Sequence, residues 1–293
     1  MTQPRPLILV TNDDGVLSDG LNRLAEALVP VGEVIVCAPS RQQSAVSHGI
    51  SLHEPLRVRT LGPQRYAVTG TPADAVFLAL CEICPRRPDL VISGINHGTN
   101  LGTDVFYSGT VAAAVEAALR GIPALAISQQ LPSIHDVSPQ ESEEWQKANP
   151  WDPLEHLSPA LEGLLLETAE FAAGLARTVL ARPLPPRVVL NVNAPNRASR
   201  TFHVTRLGQR MYRGCVERRV DPRGAPYYWL GNTVEEELDP VGTDSWALAA
   251  CCYSVTPVRL DWSVDPTFVW GAEVPGFTRL LSRETAAAAG QGR

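Results

Sequence analysis

No stretch of this chain is apolar over a length that could cross a membrane. A membrane-spanning helix needs about 20 consecutive apolar residues, whereas the first apolar run extends only from Leu7 to Val10. That run is also too short for the apolar part of a signal peptide, which takes about 7 to 15 residues. We therefore expect a cytoplasmic protein without a membrane segment.

Basic charge is scarce as well. Among the 293 residues, 25 are Lys or Arg and 31 are Asp or Glu, which gives a formal net charge of -6. Proteins that hold DNA or RNA neutralise the phosphate backbone with a basic surface. The charge balance therefore argues against stable nucleic-acid binding, and we expect any anionic ligand to be small and held locally.

Cysteine forms no recognisable framework. A chain of this length buries enough apolar surface to fold without disulfides, so we expect free thiols. Cys81 and Cys84 have the spacing of half a zinc site, but no second CxxC or HxxxH pair accompanies them. We interpret this pair as core cysteines of an apolar helix.

Short apolar runs alternate with helical patterns over the first 195 residues. Leu21, Leu24, Ala25 and Leu28 have the spacing of one helix face, and they lie between two runs that read as buried strands. Buried strands joined through helices predict an α/β fold with a doubly wound, Rossmann-like, mostly parallel sheet. The predicted strands are residues 7–11, 33–38, 89–93, 124–128 and 187–193.

Three helices are predicted in addition to the first. Thr71, Pro72 and Asp74 supply an N-cap, a first-turn proline and a first-turn acid, so a helix should run from Thr71 to about Cys84. Another should follow Ser108 and stop at Gly121, and a third covers about 161–180.

The domain organisation follows from where this alternation stops. Residues 1–198 are predicted to form the Rossmann-like catalytic domain, with an insertion at 131–158 that has no periodicity and reads as a surface segment or lid. Residues 199–293 are predicted to be a β-rich C-terminal extension and tail within the same structural unit. Short runs punctuated by Gly and Pro predict hairpins there.

Polar residues follow the predicted strands. Ligands of an open parallel sheet bind at the carboxyl ends of its strands. Asp13 and Asp14 follow the first strand, Ser44 follows the second and Asn96 follows the third. Two carboxylates with hydroxyl and amide oxygens suit Mg²⁺ or Mn²⁺ better than zinc.

The helix that begins after Ser108 adds a second element to this edge. Its glycine-lined N-terminus offers backbone N–H groups and the positive end of the helix dipole to an anion. Each motif also has a plainer interpretation: Asp13-Asp14-Gly15 as a turn, and Ser108 as an ordinary N-cap. Their convergence at one edge of one sheet favours a site for a dication and a phosphate.

Eight segments together form a family pattern. They are VTNDDG (10–15), APSRQQSAVSHGISL (38–52), TGTPADAV (69–76), PDLVISGINHGTNLGTDVFYSGTVAAAVEA (88–117), TRLGQRMY (205–212), PYYWLG (226–231), GTDSWA (242–247) and YSVTPVRLD (253–261). In order and spacing they resemble the SurE nucleotidase family over most of residues 7–262. The chain departs from that pattern between Gln129 and Pro159, where a shorter connection is usual.

The resemblance implies a residue-level site. It implies one divalent metal ion per subunit, Mg²⁺ or Mn²⁺, with the ligands Asp13, Asp14, Ser44 and Asn96. It implies a phosphate pocket lined by Ser108, Gly109 and Thr110. We assign catalysis to Asp13, Asp14 and Asn96, and substrate binding also to Asn12 and Asn100.

The resemblance also implies an activity and an assembly. The activity is hydrolysis of nucleoside 5′- and 3′-monophosphates, and the assembly is a homodimer or homotetramer formed through the β-rich C-terminal part. A metal-activated water is the favoured nucleophile, with a covalent aspartyl-phosphate as the rival. A binding module that senses nucleotides without hydrolysing them is the alternative from another functional class.

Two smaller questions stay open in the sequence. His48 and His97 lie in candidate site loops, where either could be a general acid or could simply bond to loop backbone. The aromatic run Tyr227, Tyr228 and Trp229 could stack on a base or bury a subunit contact, and we favour the contact.

Overall fold

The computed structural model describes residues 4–132, 159–209, 211–235, 240–261 and 263. Residues 133–158 of the predicted insertion, and the tail beyond 263, lie outside this part of the chain. The chain divides into one unit up to Arg259 and a second from Leu260 onward. Only residues 260, 261 and 263 of the second unit are described.

The described residues form eleven strands and five α-helices. The strands are β1 (Leu7–Thr11), β2 (Glu33–Pro39), β3 (Val58–Gly62), β4 (Arg65–Val68), β5 (Leu90–His97), β6 (Ala124–Gln129), β7 (Val188–Ala194), β8 (Phe202–Val204), β9 (Met211–Val220), β10 (Pro226–Glu235) and β11 (Tyr253–Arg259). The helices are α1 (Asp19–Leu28), α2 (Pro72–Leu78), α3 (Gly109–Leu119), α4 (Pro159–Ala181) and α5 (Asp244–Ala249). A π-helical turn (Ala79–Ile83) extends α2, and a 3₁₀ turn (Gly102–Phe106) precedes α3.

Nine of these strands form one sheet in the order β3-β4-β2-β1-β5-β6-β7-β11-β8. Strands β4, β2, β1, β5, β6 and β7 are mutually parallel, while β3 and β11 pair antiparallel with β4 and β7. The α/β class and the mostly parallel sheet are therefore confirmed.

The helices cover both faces of the sheet. Helices α1 and α4 pack together on one face, where Leu21 and Leu165 join Ile8 and Val10 of β1 in the core. Helices α2 and α3 pack together on the other face. Because both faces are covered, all five residues of β1 are buried, which explains the apolar run from Leu7 to Val10 before Thr11.

The structure differs from the sequence predictions at several places. Strand β5 continues beyond Ser93 to His97, with an irregularity between Ser93 and Asn96, so part of the predicted loop is strand. The β3–β4 hairpin was not predicted. In the C-terminal part, β9 and β10 form the expected hairpin, but β11 and β8 extend the main sheet and α5 is helical.

The structure bears on three further predictions: free thiols, Cys81 and Cys84 as core cysteines, and the absence of a membrane segment. The cysteines that the structure describes, at positions 37, 81, 84, 251 and 252, are free thiols. Cys81 is exposed, so the interpretation of Cys81 and Cys84 as core cysteines is wrong for Cys81. No helix within the described ranges has the length and apolarity needed to cross a membrane.

Candidate functional site

The candidate site lies where the strand order reverses. From β1 the chain passes to β2 on one side and later to β5 on the other, and both are parallel to β1. Such a reversal opens a crevice at the carboxyl ends of the two central strands. Asp13 and Asp14 leave β1 at that end, and Asn96 and His97 form the end of β5.

Asn12 shapes the turn that presents the two aspartates. Its buried amide nitrogen donates to the backbone oxygen of Gly15 at 3.0 Å and to Oγ of Ser18 at 2.7 Å, while its oxygen accepts from the Gly15 N–H at 3.2 Å. Gly15 has a φ of +103°, and a Cβ there would lie 3.3 Å from the Arg41 backbone. The predicted substrate contact Asn12 therefore has its amide engaged within its own turn.

Asp13 packs directly against the start of α3. Its side chain is 5% exposed, and its Oδ1 accepts a hydrogen bond from the Thr110 hydroxyl. A Cβ on Gly109 would lie 2.8 Å from the Cβ of Asp13, so only glycine allows this approach. Burial, and then the negative charge of Asp14, raise the pKa of Asp13 to about 6, although hydrogen bonds from Thr110 oppose that rise.

Asp14 connects the first strand to the end of β5. Its Oδ2 accepts a hydrogen bond from the backbone N–H of His97 at 3.1 Å. The neighbouring Asn96 donates its amide nitrogen to the backbone oxygen of Gly98 at 2.8 Å. The amide oxygen is therefore the atom of Asn96 that is suited to a cation.

Ser44 lies on an exposed loop that is bonded to the same turn. The backbone N–H of Gln43 donates to the backbone oxygen of Asp13 at 2.7 Å, which brings Ser44 within one residue of that contact. Further along the loop, the N–H of Ser47 donates to the backbone oxygen of Tyr107 at 3.0 Å. The structure thus brings Asp13, Asp14 and Asn96 to neighbouring strand ends, and the backbone contact of Gln43 places the loop of Ser44 against the same turn.

The predicted phosphate residues occupy the first turn of α3. Ser108 is its N-cap, and its hydroxyl oxygen accepts from the Val111 N–H at 3.1 Å. Thr110 is fully buried and directs both its hydroxyl and its backbone N–H at Asp13. Both of these Thr110 groups are therefore engaged with Asp13, a predicted metal ligand, and Ser108 and Gly109 are the other two predicted phosphate residues of this turn.

Asn100 lies at the centre of a buried amide network that sequence reasoning missed. Its amide nitrogen donates to Ser128 at 2.8 Å, its backbone N–H donates to Asn193 at 2.8 Å, and its backbone oxygen accepts from Asn191 and Asn193. The alternate spacing of Asn191 and Asn193 on one strand face was the signal in the sequence. This network fixes the segment that leads into the 3₁₀ turn.

Asp244 anchors the same segment from the C-terminal extension. Its fully buried carboxylate accepts backbone N–H groups of Gly102 at 2.8 Å, Gly208 at 2.8 Å and Ser245 at 2.9 Å. Burial raises the pKa of Asp244, against the effect of these hydrogen bonds. The extension is therefore part of the scaffold that positions the start of α3.

The chemistry of the donors fits a hard divalent cation. In the ranges that the structure describes, no cluster of three or more His, Cys, Asp or Glu side chains could hold a metal. The candidate set is instead two carboxylates, one hydroxyl and one amide, all oxygen donors, which suits Mg²⁺ or Mn²⁺. Burial first, and then repulsion from Asp14, raise the pKa of Asp13, and a bound cation would relieve that repulsion.

Comparison with known proteins places these features in one family. The profile described as "Survival protein SurE" matches residues 8–214. The "5'-nucleotidase SurE" of Anaeromyxobacter dehalogenans strain 2CP-C is 44% identical over 277 residues, which cover 93% of this chain and 98% of that protein. The proteins of the same name from Pelobacter propionicus and Myxococcus xanthus are 44% and 42% identical, over 87% and 93% of this chain and 93% and 95% of theirs.

A solved structure agrees with these sequence matches. The crystal structure of the SurE protein from Aquifex aeolicus superposes with a TM-score of 0.70 and 37% sequence identity, covering 88% of this chain and 95% of that one. The sheet, the aspartate pair after β1 and the family match thus converge, and the chain belongs to the SurE family.

Proposed function

We propose that this protein is a metal-dependent nucleotidase that hydrolyses nucleoside 5′- and 3′-monophosphates to nucleoside and phosphate. The observation that carries the proposal is the contact between Asp13 and the first turn of α3, which brings a carboxylate pair and a helix N-terminus to one edge of the sheet. The activity named for the relatives, 5′-nucleotidase, is consistent with it.

Asp13, Asp14, Ser44 and Asn96 would hold the cation. When bound, a divalent ion lowers the pKa of a water molecule and neutralises charge on the phosphate. Asp14 lies beside the buried Asp13 but is only partly buried, and so is the better placed of the two to accept a proton from the attacking water. Thr110 keeps Asp13 oriented, while Ser108 and Gly109 bind phosphate oxygens at the helix N-terminus.

The bond changes are those of a phosphate monoester hydrolysis. Water oxygen forms a bond to phosphorus, and the bond between phosphorus and the ribose oxygen breaks. The attacking water gives up a proton to Asp14, and the ribose oxygen takes up a proton from solvent and leaves as the nucleoside hydroxyl. Neither His48 nor His97 is assigned the role of proton donor.

Phosphate release from a panel of nucleotides tests this proposal. Metal-depleted protein, supplemented with Mn²⁺ or Mg²⁺, should release phosphate from 5′- and 3′-monophosphates, and Asp14→Asn should not. Nucleotide binding without phosphate release would instead identify a sensor module. A phosphorylated Asp13 or Asp14, trapped by acid quench and found by mass spectrometry, would replace water with aspartate as the nucleophile.

The β9–β10 hairpin is our candidate for the subunit contact. Its aromatic side chains Tyr228 and Trp229 are each 58% exposed, and the hairpin forms a two-stranded sheet of its own. Exposed aromatic side chains of this size are typical of protein interfaces. Trp229→Glu should lower the molar mass measured by light scattering to that of a monomer. An unchanged mass in this variant would remove the hairpin from the interface.

A further inference from the structure

The loop that carries Ser44 must be held in place if Ser44 is to lie at the proposed cation site. We call residues 40–51 the Ser44 loop. Ala45 and Ser47 have φ values of 56° and 53°, the left-handed region that non-glycine residues rarely adopt, and Ser44 itself is exposed. A loop with such conformations persists only where the surrounding contacts determine it.

Contacts of the Ser44 loop with three neighbouring elements are mostly made by its backbone. Gln43 bonds to the backbone of Asp13, and the Ser47 hydroxyl donates to the backbone oxygen of Phe106 at 2.6 Å. At the far end, the oxygen of Gly49 accepts from the Thr71 hydroxyl at 2.7 Å, and the N–H of Ser51 donates to Asp74 at 3.0 Å. These bonds join the loop to the turn after β1, the 3₁₀ turn and the N-cap of α2.

One contact differs because it joins two ionisable side chains. Nε2 of His48 lies 3.0 Å from Oε2 of Glu116 on α3. Glu116 is 5% exposed in an otherwise alanine-rich helix, and its other oxygen accepts from Nε of Arg120 at 2.7 Å. The hydrogen bonds from His48 and Arg120 hold the pKa of Glu116 below its ordinary value, against the opposing effect of burial.

An alanine at position 116 would suit this alanine-rich helix, whereas a buried carboxylate there is costly unless its hydrogen bonds are made. Arg120, four residues along the helix, could satisfy one oxygen by itself. The second oxygen of Glu116 is directed at His48, which lies in the Ser44 loop four residues after Ser44. That direction links the loop to the helix whose first turn supports Asp13.

We propose that Glu116 is a positioning residue that, through His48, holds the Ser44 loop against α3 and so sets Ser44 beside Asp13 for cation binding. Glu116 lies in the second turn of α3, away from the N-terminal turn, and acts on the cation only through the loop. The inference rests on the proposed function, since it concerns the same cation site. It also gives His48 a role as the loop's anchor to α3.

Direct binding of Mn²⁺, measured by electron paramagnetic resonance without substrate, tests the role of Glu116. Glu116→Ala and His48→Ala should each weaken Mn²⁺ binding about tenfold or more, because each breaks a charge-assisted hydrogen bond. His48→Gln keeps an N–H donor and should restore most of the affinity. Arg120→Met removes the other partner of Glu116 without touching the loop, and should change the affinity less than about threefold.

Hydrogen exchange supplies a readout that does not depend on the metal. Backbone amides of residues 43–51 should exchange faster in Glu116→Ala and His48→Ala, but not in Arg120→Met. A Glu116→Ala protein with a lowered melting temperature but unchanged Mn²⁺ affinity and loop exchange would show a purely structural role and overturn the inference. If Glu116→Ala does not fold, His48→Ala, at a partly exposed loop position, decides by the same criteria. A wild-type protein that binds no Mn²⁺ contradicts the proposed function and the inference together, whereas wild-type binding with unchanged variants contradicts the inference alone.

Discussion

The hydroxyl of Thr110 donates a hydrogen bond to Oδ1 of Asp13, across 97 residues of sequence. Both side chains are buried, and Gly109 allows the helix to approach the aspartate closely. The bond attaches the first turn of α3 to the turn after β1. It therefore couples the phosphate end of the proposed site to its cation end.

Thr110→Val should lower kcat/KM for nucleoside monophosphates while preserving the fold. Valine keeps the shape of threonine but removes the hydroxyl, at a cost of about 1 to 3 kcal/mol for the unmatched carboxylate oxygen. Thr110→Ser retains the hydroxyl and is the matched control. Steady-state kinetics at several Mn²⁺ concentrations should show a lower kcat/KM for Thr110→Val and not for Thr110→Ser. Equal rates in the two variants would mean that the hydrogen bond has no part in catalysis.

Asp13→Asn should raise the stability of the metal-free protein at neutral pH. The pKa of Asp13 is raised from 3.8 to about 6 in the fold, so stability contributed by its protonated form is complete below about pH 4 and is lost as the pH rises through 6. The loss is of the order of 2 to 3 kcal/mol, at about 1.4 kcal/mol per pKa unit. Asparagine has no charge to bury, so the stability of the variant does not fall in this way as the pH rises.

Thermal melts in EDTA between pH 4 and pH 8 measure this difference. The melting temperatures of wild type and Asp13→Asn should diverge as the pH rises above 4, with the variant higher. Added Mn²⁺ should raise the melting temperature of the wild type at pH 7.5 and leave that of the variant nearly unchanged. A constant difference across this pH range would show that folding does not raise the pKa of Asp13.

Asp14→Ala should reduce turnover by at least about a hundredfold without unfolding the protein, since it removes a proposed ligand and proton acceptor from a loop rather than a core contact. Circular dichroism should be unchanged. Asp19→Ala, at the partly buried first residue of α1, is a control for the loss of a nearby acidic charge. Near-normal turnover of Asp14→Ala at saturating Mn²⁺ would remove Asp14 from the site.

Asp244→Asn should destabilise the protein by about 1 to 3 kcal/mol, because an amide N–H₂ would face a backbone N–H that now donates to a carboxylate oxygen. Asp221→Asn is the matched control. Asp221 also accepts two backbone N–H groups, from Arg223 and Ala225, but it lies in the hairpin turn outside the main sheet. Urea unfolding should show the larger loss for Asp244→Asn, and comparable losses would contradict its role as an anchor.

Local sequence determined most of the strand and helix positions. The run Leu7 to Thr11 is apolar because both faces of the sheet are covered, and the same burial made it recognisable as a parallel strand. Thr71 opens α2 through a capping box with Asp74, an interaction between residues three apart that the sequence displays directly. Such features depend on neighbours along the chain, so the predictions for them were confirmed.

The tertiary structure decided what each polar side chain contacts. Thr110 and Asp13, Glu116 and His48, and Asp244 and Gly102 are pairs separated by 68 to 142 residues. No local pattern specifies such partners, because a hydrogen bond between distant residues depends on the crossing of strands and helices in space. For the same reason β8 and β11, which read as hairpin strands, lie in the main sheet, where β11 pairs with β7 and with β8. Sequence thus predicted the residues of the candidate site, and the packing of α3 on the carboxyl ends of β1 and β5 determined which of them contact one another.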